Sequence, residues 1–194
     1  TNQYTAEPTD LSDTQSQFKG EKTLDGREWV TGEQIDFVLS TAVGDIVTPM
    51  PQDATTVGEG DEAYLTSRVT RSGNGGFTFA DITYDKAGTY TYTITEDAAS
   101  HRIANGTEEQ NAAIKAGMTY SSAKYEVTVV VTDVPDGAET GSGQLHVASV
   151  TYRQVAPESS DATIASFVNE FDAAATTGQL YAFKTYEDTT TGNP

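Results

Sequence analysis

An amine, a carboxyl and a carboxamide stand at apolar-facing positions of three strand-like stretches of this sequence, and brought together they can form a covalent bond. Side chains two apart on a strand share a face, so parity tells which way each polar residue points. In Tyr90-Thr91-Tyr92-Thr93-Ile94-Thr95-Glu96, Glu96 shares its face with Tyr90, Tyr92 and Ile94. In Phe18-Lys19-Gly20-Glu21-Lys22-Thr23-Leu24, Lys22 shares its face with Phe18, Gly20 and Leu24, while Lys19 and Glu21 take the other. In Phe167-Val168-Asn169-Glu170-Phe171, Asn169 sits between two phenylalanines on one face. Polar groups so placed are costly unless each is answered by a partner.

In a dry interior the amine can attack the amide carbon, release ammonia and leave a Lys–Asn isopeptide bond. The amine must be neutral, a state that apolar burial favours by depressing its pKa. A carboxyl that keeps its proton in the same surroundings can polarise the carbonyl and shuttle protons. Fixed neighbours supply much of the rest, because they react at effective molarities of roughly 10⁵ M or above. Lys22 fits the nucleophile, Asn169 the acceptor and Glu96 the catalyst. Taken singly, each has a plainer explanation: a lysine snorkelling to water, a glutamate at a strand end, a satisfied core amide. Their conjunction carries the reading. Lys19 is the alternative amine, and its parity counts against it.

The surrounding elements have to be strands. Ten Tyr and seven Phe among Thr and Val favour sheet over helix, and 194 residues can bury a sizeable core. Residues 1–16 read as a polar linker without a signal-peptide apolar region. The first strand follows at about 17–24 and ends in the turn pair Asp25-Gly26. Gln34 to Leu39 alternates with Ile35, Phe37 and Leu39 inward. Residues 40–60, with Pro49, Pro51, Gly58 and Gly60, form a long connection with room for one short strand. Further strands are expected at Ala63 to Val69, from Phe77, at Tyr90 to Glu96, at Tyr125 to Val131, at Leu145 to Tyr152 and at about 163–171. The alternation breaks after Glu96. Thr107-Glu108-Glu109-Gln110 has the form of a capping box, and Gly117 stops the short helix that follows. Residues 173–194 begin as a second linker. Within them Leu180 to Asp188 reads equally as the opening strand of a following repeat or as an extra strand of the same domain. Many short strands and one helix make an all-β sandwich.

Here the motifs carry a resemblance. Lys22-Thr23-Leu24-Asp25-Gly26-Arg27-Glu28-Trp29, with Gly32-Glu33 and Phe37-Val38-Leu39 after it, resembles the opening of streptococcal-type pilin isopeptide-linkage domains, also called FctA or T-antigen-like domains. Gly88 to Glu96 is similar to that family's central strand with its catalytic glutamate. Tyr120, then Tyr125-Glu126-Val127-Thr128-Val129, and finally Phe167 to Phe171 match its later strands in order. The resemblance implies a reversed immunoglobulin-like sandwich of the CnaB/FctA type over residues 17–172, with the helix in an insertion. It implies a structural stalk or shaft module of a Gram-positive adhesin or pilus, outside the cell and at its wall. It also implies a spontaneous bond between Lys22 and Asn169 with Glu96 as catalyst, made once per molecule rather than by an enzyme with turnover. Departures from the family are a long Glu96–Tyr120 connection and the lack of a sorting signal or an obvious pilin-motif lysine.

Other classes find little support. A net charge of −18, from 29 acidic and 11 basic residues, argues against nucleic-acid binding. There is no run of eighteen apolar residues to span a membrane. The absence of cysteine excludes disulfides, thiolate metal sites and cysteine nucleophiles. His101 and His146 lack zinc-ligand spacing, and the acidic stretches Gly58 to Glu62 and Asp133 to Asp136 do not match an EF-hand. No cofactor or metal is therefore expected. The expected partners are neighbouring domains of the same surface protein, with any host ligand bound through other domains, and the module itself is expected to be monomeric. The alternative function is a ligand-binding adhesin head that uses the 40–75 and 97–120 loops.

Overall fold

The computed structural model describes residues 6–10, 18–134 and 138–173. In chain order the strands are β1 (Thr9–Asp10), β2 (Lys19–Asp25), β3 (Glu33–Ser40), β4 (Thr55–Val57), β5 (Tyr64–Arg71), β6 (Gly75–Thr78), β7 (Thr83–Tyr84) and β8 (Gly88–Ile103). Helix α1 (Glu108–Lys115) follows, and then β9 (Met118–Thr119), β10 (Lys124–Thr132), β11 (His146–Ala156), β12 (Ser160–Ala162) and β13 (Ala165–Phe171). One sheet runs β12-β11-β10-β8-β3-β5-β4, the other β6-β2-β13-β9, and β1 pairs with β7 in a small third sheet. The two larger sheets form the sandwich. The early strand β2 and the late strand β13 are parallel neighbours, and the other strand pairs are antiparallel.

Alternation along the strands makes the core. In β3, Glu33, Ile35, Phe37 and Leu39 are buried in turn, and in β10 Tyr125, Val127, Val129 and Val131 are. Phe37 stacks on Phe77 with ring centroids 4.1 Å apart and tilts against Phe167 at 5.1 Å. Gly20 makes room for that cluster: a Cβ there would lie 2.0 Å from the Phe77 ring. At the end of β2 the chain turns through Gly26 at φ +87°, close against the carbonyl of Phe171, where a side chain has no space.

The helix forms where its capping box predicts. Thr107 Oγ1 accepts from the Gln110 amide, and the Gln110 side chain accepts from the Thr107 amide at 2.8 Å. Only Ile114 of the helix is buried, so the cap is a large part of what holds so short an element. Thr107→Ala is expected to cost about 1 kcal/mol, a fall in Tm of about 2–4 °C for a domain of this size. A thermal melt with no measurable change would show the cap to be redundant.

Two expectations need correction. The alternation does break after Glu96, but the strand does not: β8 continues to Ile103, with Gln34 opposite Arg102 and Glu33 opposite Ile103. A register shift between Gln34 and Asp36 absorbs the irregularity, and Ser100 Oγ accepts from the Asp36 amide there. A bulge of this kind spoils the period-2 signal without ending the pairing. The 97–120 stretch is thus a strand extension, a helix and a short strand more than a loop. Likewise, part of the expected 1–16 linker joins the fold. Thr9 and Asp10 pair with Tyr84 and Thr83, Glu7 exchanges backbone bonds with Gly143 and Leu145, and Ala6 packs on the core. So short a strand is held by backbone bonds, which leave no mark in residue type. Leu180 to Asp188 lies outside the described residues.

Candidate functional site

The three residues singled out by parity come from three strands and both large sheets. Lys22 and Asn169 are both buried and lie on the adjacent parallel strands β2 and β13. Lys22 pairs with Phe167 and Leu24 with Asn169, so Lys22 and Asn169 are diagonal neighbours on one face. Strand spacing and rise put such backbone positions about 8 Å apart, a gap that a lysine stem and a carboxamide span between them. Glu96 comes from β8 in the facing sheet. Its Oε2 accepts from Lys22 Nζ at 2.6 Å, and both side chains are essentially without solvent exposure. The ion pair therefore joins the sheets through the core. Lys19 lies on the opposite face of β2, and its backbone amide donates to the Tyr152 hydroxyl.

The surroundings are aromatic and dry. Phe167 is the cross-strand neighbour of Lys22, and Phe37 that of Glu96, and these two rings meet with centroids 5.1 Å apart. Tyr125 adds an edge against Phe167 at 5.4 Å. Burial pushes the Lys22 amine below its ordinary value and outweighs the opposing pull of the Glu96 carboxylate. The second carboxyl oxygen, Glu96 Oε1, is buried and has no hydrogen-bond partner among the described residues. A buried oxygen left without a donor carries an uncompensated desolvation cost. Asn169 is held from the other side, where its Oδ1 accepts from the backbone amide of Ser121 at 2.8 Å. An amide N–H requires an oxygen opposite it, which fixes which way the carboxamide faces.

A second buried polar cluster lies alongside and was missed by the sequence reading, which weighed His101 only as a zinc ligand. Arg27 grips Glu33 with two bonds, Nη2 to Oε1 at 2.6 Å and Nη1 to Oε2 at 2.8 Å. The Val30 amide also donates to Glu33 Oε2, and His101 Nε2 lies 2.7 Å from Oε1. Burial pushes the Glu33 carboxyl up, yet these donors more than offset it and hold it below the ordinary carboxylate value. Burial also holds the His101 imidazole low against the pull of Glu33, so the ring is neutral. A carboxylate only accepts, so Nε2 carries the ring proton and Nδ1 accepts from the Tyr120 hydroxyl at 2.7 Å. Burial, with the charges of Glu96 and Glu33 nearby, pushes the Tyr120 phenol up to about 12. Tyr120 thus stands between the two clusters. The signal available in the sequence was Glu33 itself, which shares the inward parity of Ile35, Phe37 and Leu39.

Elsewhere the surface offers less. Among the described residues no group of three or more His, Asp or Glu is arranged to hold a metal ion, and no helix is long and apolar enough to cross a membrane. The 40–75 region exposes Val43, Ile46 and Val47, and a shallow hollow lies nearby between Gln52, Asp53 and Asp81.

No curated protein matches the chain. Among solved structures it is similar to the major pilin from Streptococcus pyogenes, at 13% identity and a TM-score of 0.35, over 86% of this chain and 51% of that one. It is also similar to the T-13 major pilin protein of that organism, at 14% identity and a TM-score of 0.39, over 86% and 54%. A third is its T3.2 major pilin protein, at 13% and 0.40, over 82% and 53%. The chain thus spans about half the length of these pilins. Residues 18–172 match the FctA family model, described as a Spy0128-like isopeptide containing domain. That span holds the sandwich with Lys22, Glu96 and Asn169, and the chain belongs to the FctA family of isopeptide-containing domains.

Proposed function

We propose that this chain is a structural module of a Gram-positive pilus shaft or adhesin stalk, locked by a self-formed isopeptide bond between Lys22 and Asn169. The observation that carries the reading is the solvent-free Lys22–Glu96 pair at 2.6 Å, one diagonal step across the sheet from a buried asparagine. The module comprises residues 17–172. Its partners are neighbouring domains of the same surface protein, outside the cell.

The reaction needs no cofactor. Lys22 gives a proton to Glu96 and becomes a neutral nucleophile, which burial already favours. Nζ attacks Cγ of Asn169, the new C–N bond forms, and the carbonyl electrons move onto Oδ1. Glu96 passes its proton to Nδ2 and then takes the second proton from the attacking nitrogen, ending as the neutral acid, and the electrons on Oδ1 return to re-form the carbonyl. The Cγ–Nδ2 bond breaks, ammonia leaves, and the secondary amide remains with one N–H. No group is restored for a second round, so the protein is not an enzyme.

Intact-mass measurement tests this directly. The native protein should be lighter than its sequence by one ammonia, and Lys22→Ala and Asn169→Ala should each have the full mass of their own sequences. A native protein at full mass after prolonged folding would overturn the proposal.

A further inference from the structure

We propose that the backbone N–H of Ser121 is a working part of the bond-forming site: it binds the Asn169 carbonyl oxygen and stabilises the negative charge that builds there during attack. This rests on the isopeptide reading above and adds a group to it. Glu96 alone leaves a gap in the chemistry. Its Oε2 is engaged with Lys22, and it must both take and give protons while charge develops on Oδ1. The Ser121 amide lies 2.8 Å from that same oxygen. It is a neutral, fixed donor that cannot be titrated away and needs no reorganisation as the reaction proceeds. By binding Oδ1 it also leaves Nδ2 as the free end of the carboxamide, so the departing nitrogen is not the atom tied down.

The donor is held in place from both sides. Tyr120, the preceding residue, is anchored through its hydroxyl to His101, which is tied to Glu33 and through it to Arg27. On the other side, Ser121 Oγ accepts from the Ala123 amide at 3.3 Å. The turn between β9 and β10 is thereby fixed to the long β8 strand that also carries Glu96. The Arg27–Glu33–His101–Tyr120 chain, buried at Glu33 and His101, gains a purpose as the mount for this amide.

The test replaces the amide N–H of residue 121 by an ester oxygen in a chain assembled by ligation in denaturant, against a chain of native sequence assembled by the same ligation. Both are refolded, and ammonia loss is followed by intact mass over time. The ester chain should cross-link more slowly by on the order of a hundredfold. An ester chain that folds and reacts at the native rate would overturn the proposal. Failure of the native chain to lose ammonia would instead sink the isopeptide reading itself. Folding is checked on versions carrying Lys22→Ala, which cannot react. Should the ester chain not fold, hydrogen exchange decides. In the Lys22→Ala protein the Ser121 amide should be protected, and adding Asn169→Ala should release it. Equal exchange in the two would overturn the proposal.

Discussion

Glu96→Ala is expected to keep its ammonia and to melt about 15–30 °C below the native protein. Two effects act together. Without the proton carrier the bond does not form, and the unfolded chain regains the freedom that the link removes. By analogy with a disulfide closing a loop of similar span, that loss is about 4–5 kcal/mol. In addition, Lys22 stays in an aromatic interior without its carboxylate, and breaking one side of a buried pair costs about 3–5 kcal/mol where the other remains charged. Deprotonation of Lys22 relieves part of that second cost. Intact mass and calorimetry on one sample check both halves. A Glu96→Ala protein that cross-links fully would show that the carboxylate is not the catalyst, whatever its melting point. Comparison with Lys22→Ala, which loses the bond without burying an orphan amine, separates the two effects.

Glu33→Gln is expected to give the second largest loss, with a different signature. Glu33 accepts from Arg27, Val30 and His101, with the Glu33 side chain buried and that of Arg27 partly exposed. Removing its charge leaves the guanidinium of Arg27 half-answered, and because Arg27 keeps some contact with water the cost should be about 2–3 kcal/mol, a fall in Tm of about 4–12 °C. The final mass should still be short by one ammonia, because none of the three reacting groups is altered. An unchanged melting point would show that the cluster contributes nothing. The same residues predict acid sensitivity. His101 is held below its ordinary 6.5, so its contribution to stability is complete above that pH and declines beneath it. Glu33 is held below its ordinary 4.5, so its contribution is present above that value and is lost as pH falls further. The native protein should therefore lose stability as pH falls below 6.5 and again as it falls below 4.5, and Glu33→Gln should remove the second of these falls.

What could be read from residue order depended on whether the residue type marked the structural feature. Lys22, Glu96 and Asn169 were legible because each interrupts an alternating apolar pattern, and the interruption is itself informative. The helix was legible because its cap is written in side chains. The continuation of β8 past Glu96 was not, because a bulge shifts the register and the two-residue period is lost. The β1 pairing was not, because two polar residues pair with β7 through the main chain, which residue type does not mark. The Arg27–Glu33–His101–Tyr120 chain draws on residues up to 93 positions apart in the sequence, and only the folded sheet brings them together. The Ser121 amide could not be found from sequence at all, since every residue but proline has one.

The parallel placement of β2 beside β13 has a consequence for a protein that is tugged at its ends. Strand β2, which follows the short β1, and the last strand β13 run the same way, so tension slides one along the other and loads the hydrogen bonds between them together. A bond between Lys22 and Asn169 short-circuits that geometry. Load then passes from one strand to the other through a single amide, and everything from Thr23 to Val168 drops out of the force path. Roughly 500 Å of extensible chain is withheld, and a fibre built of such units behaves as a strap of fixed length.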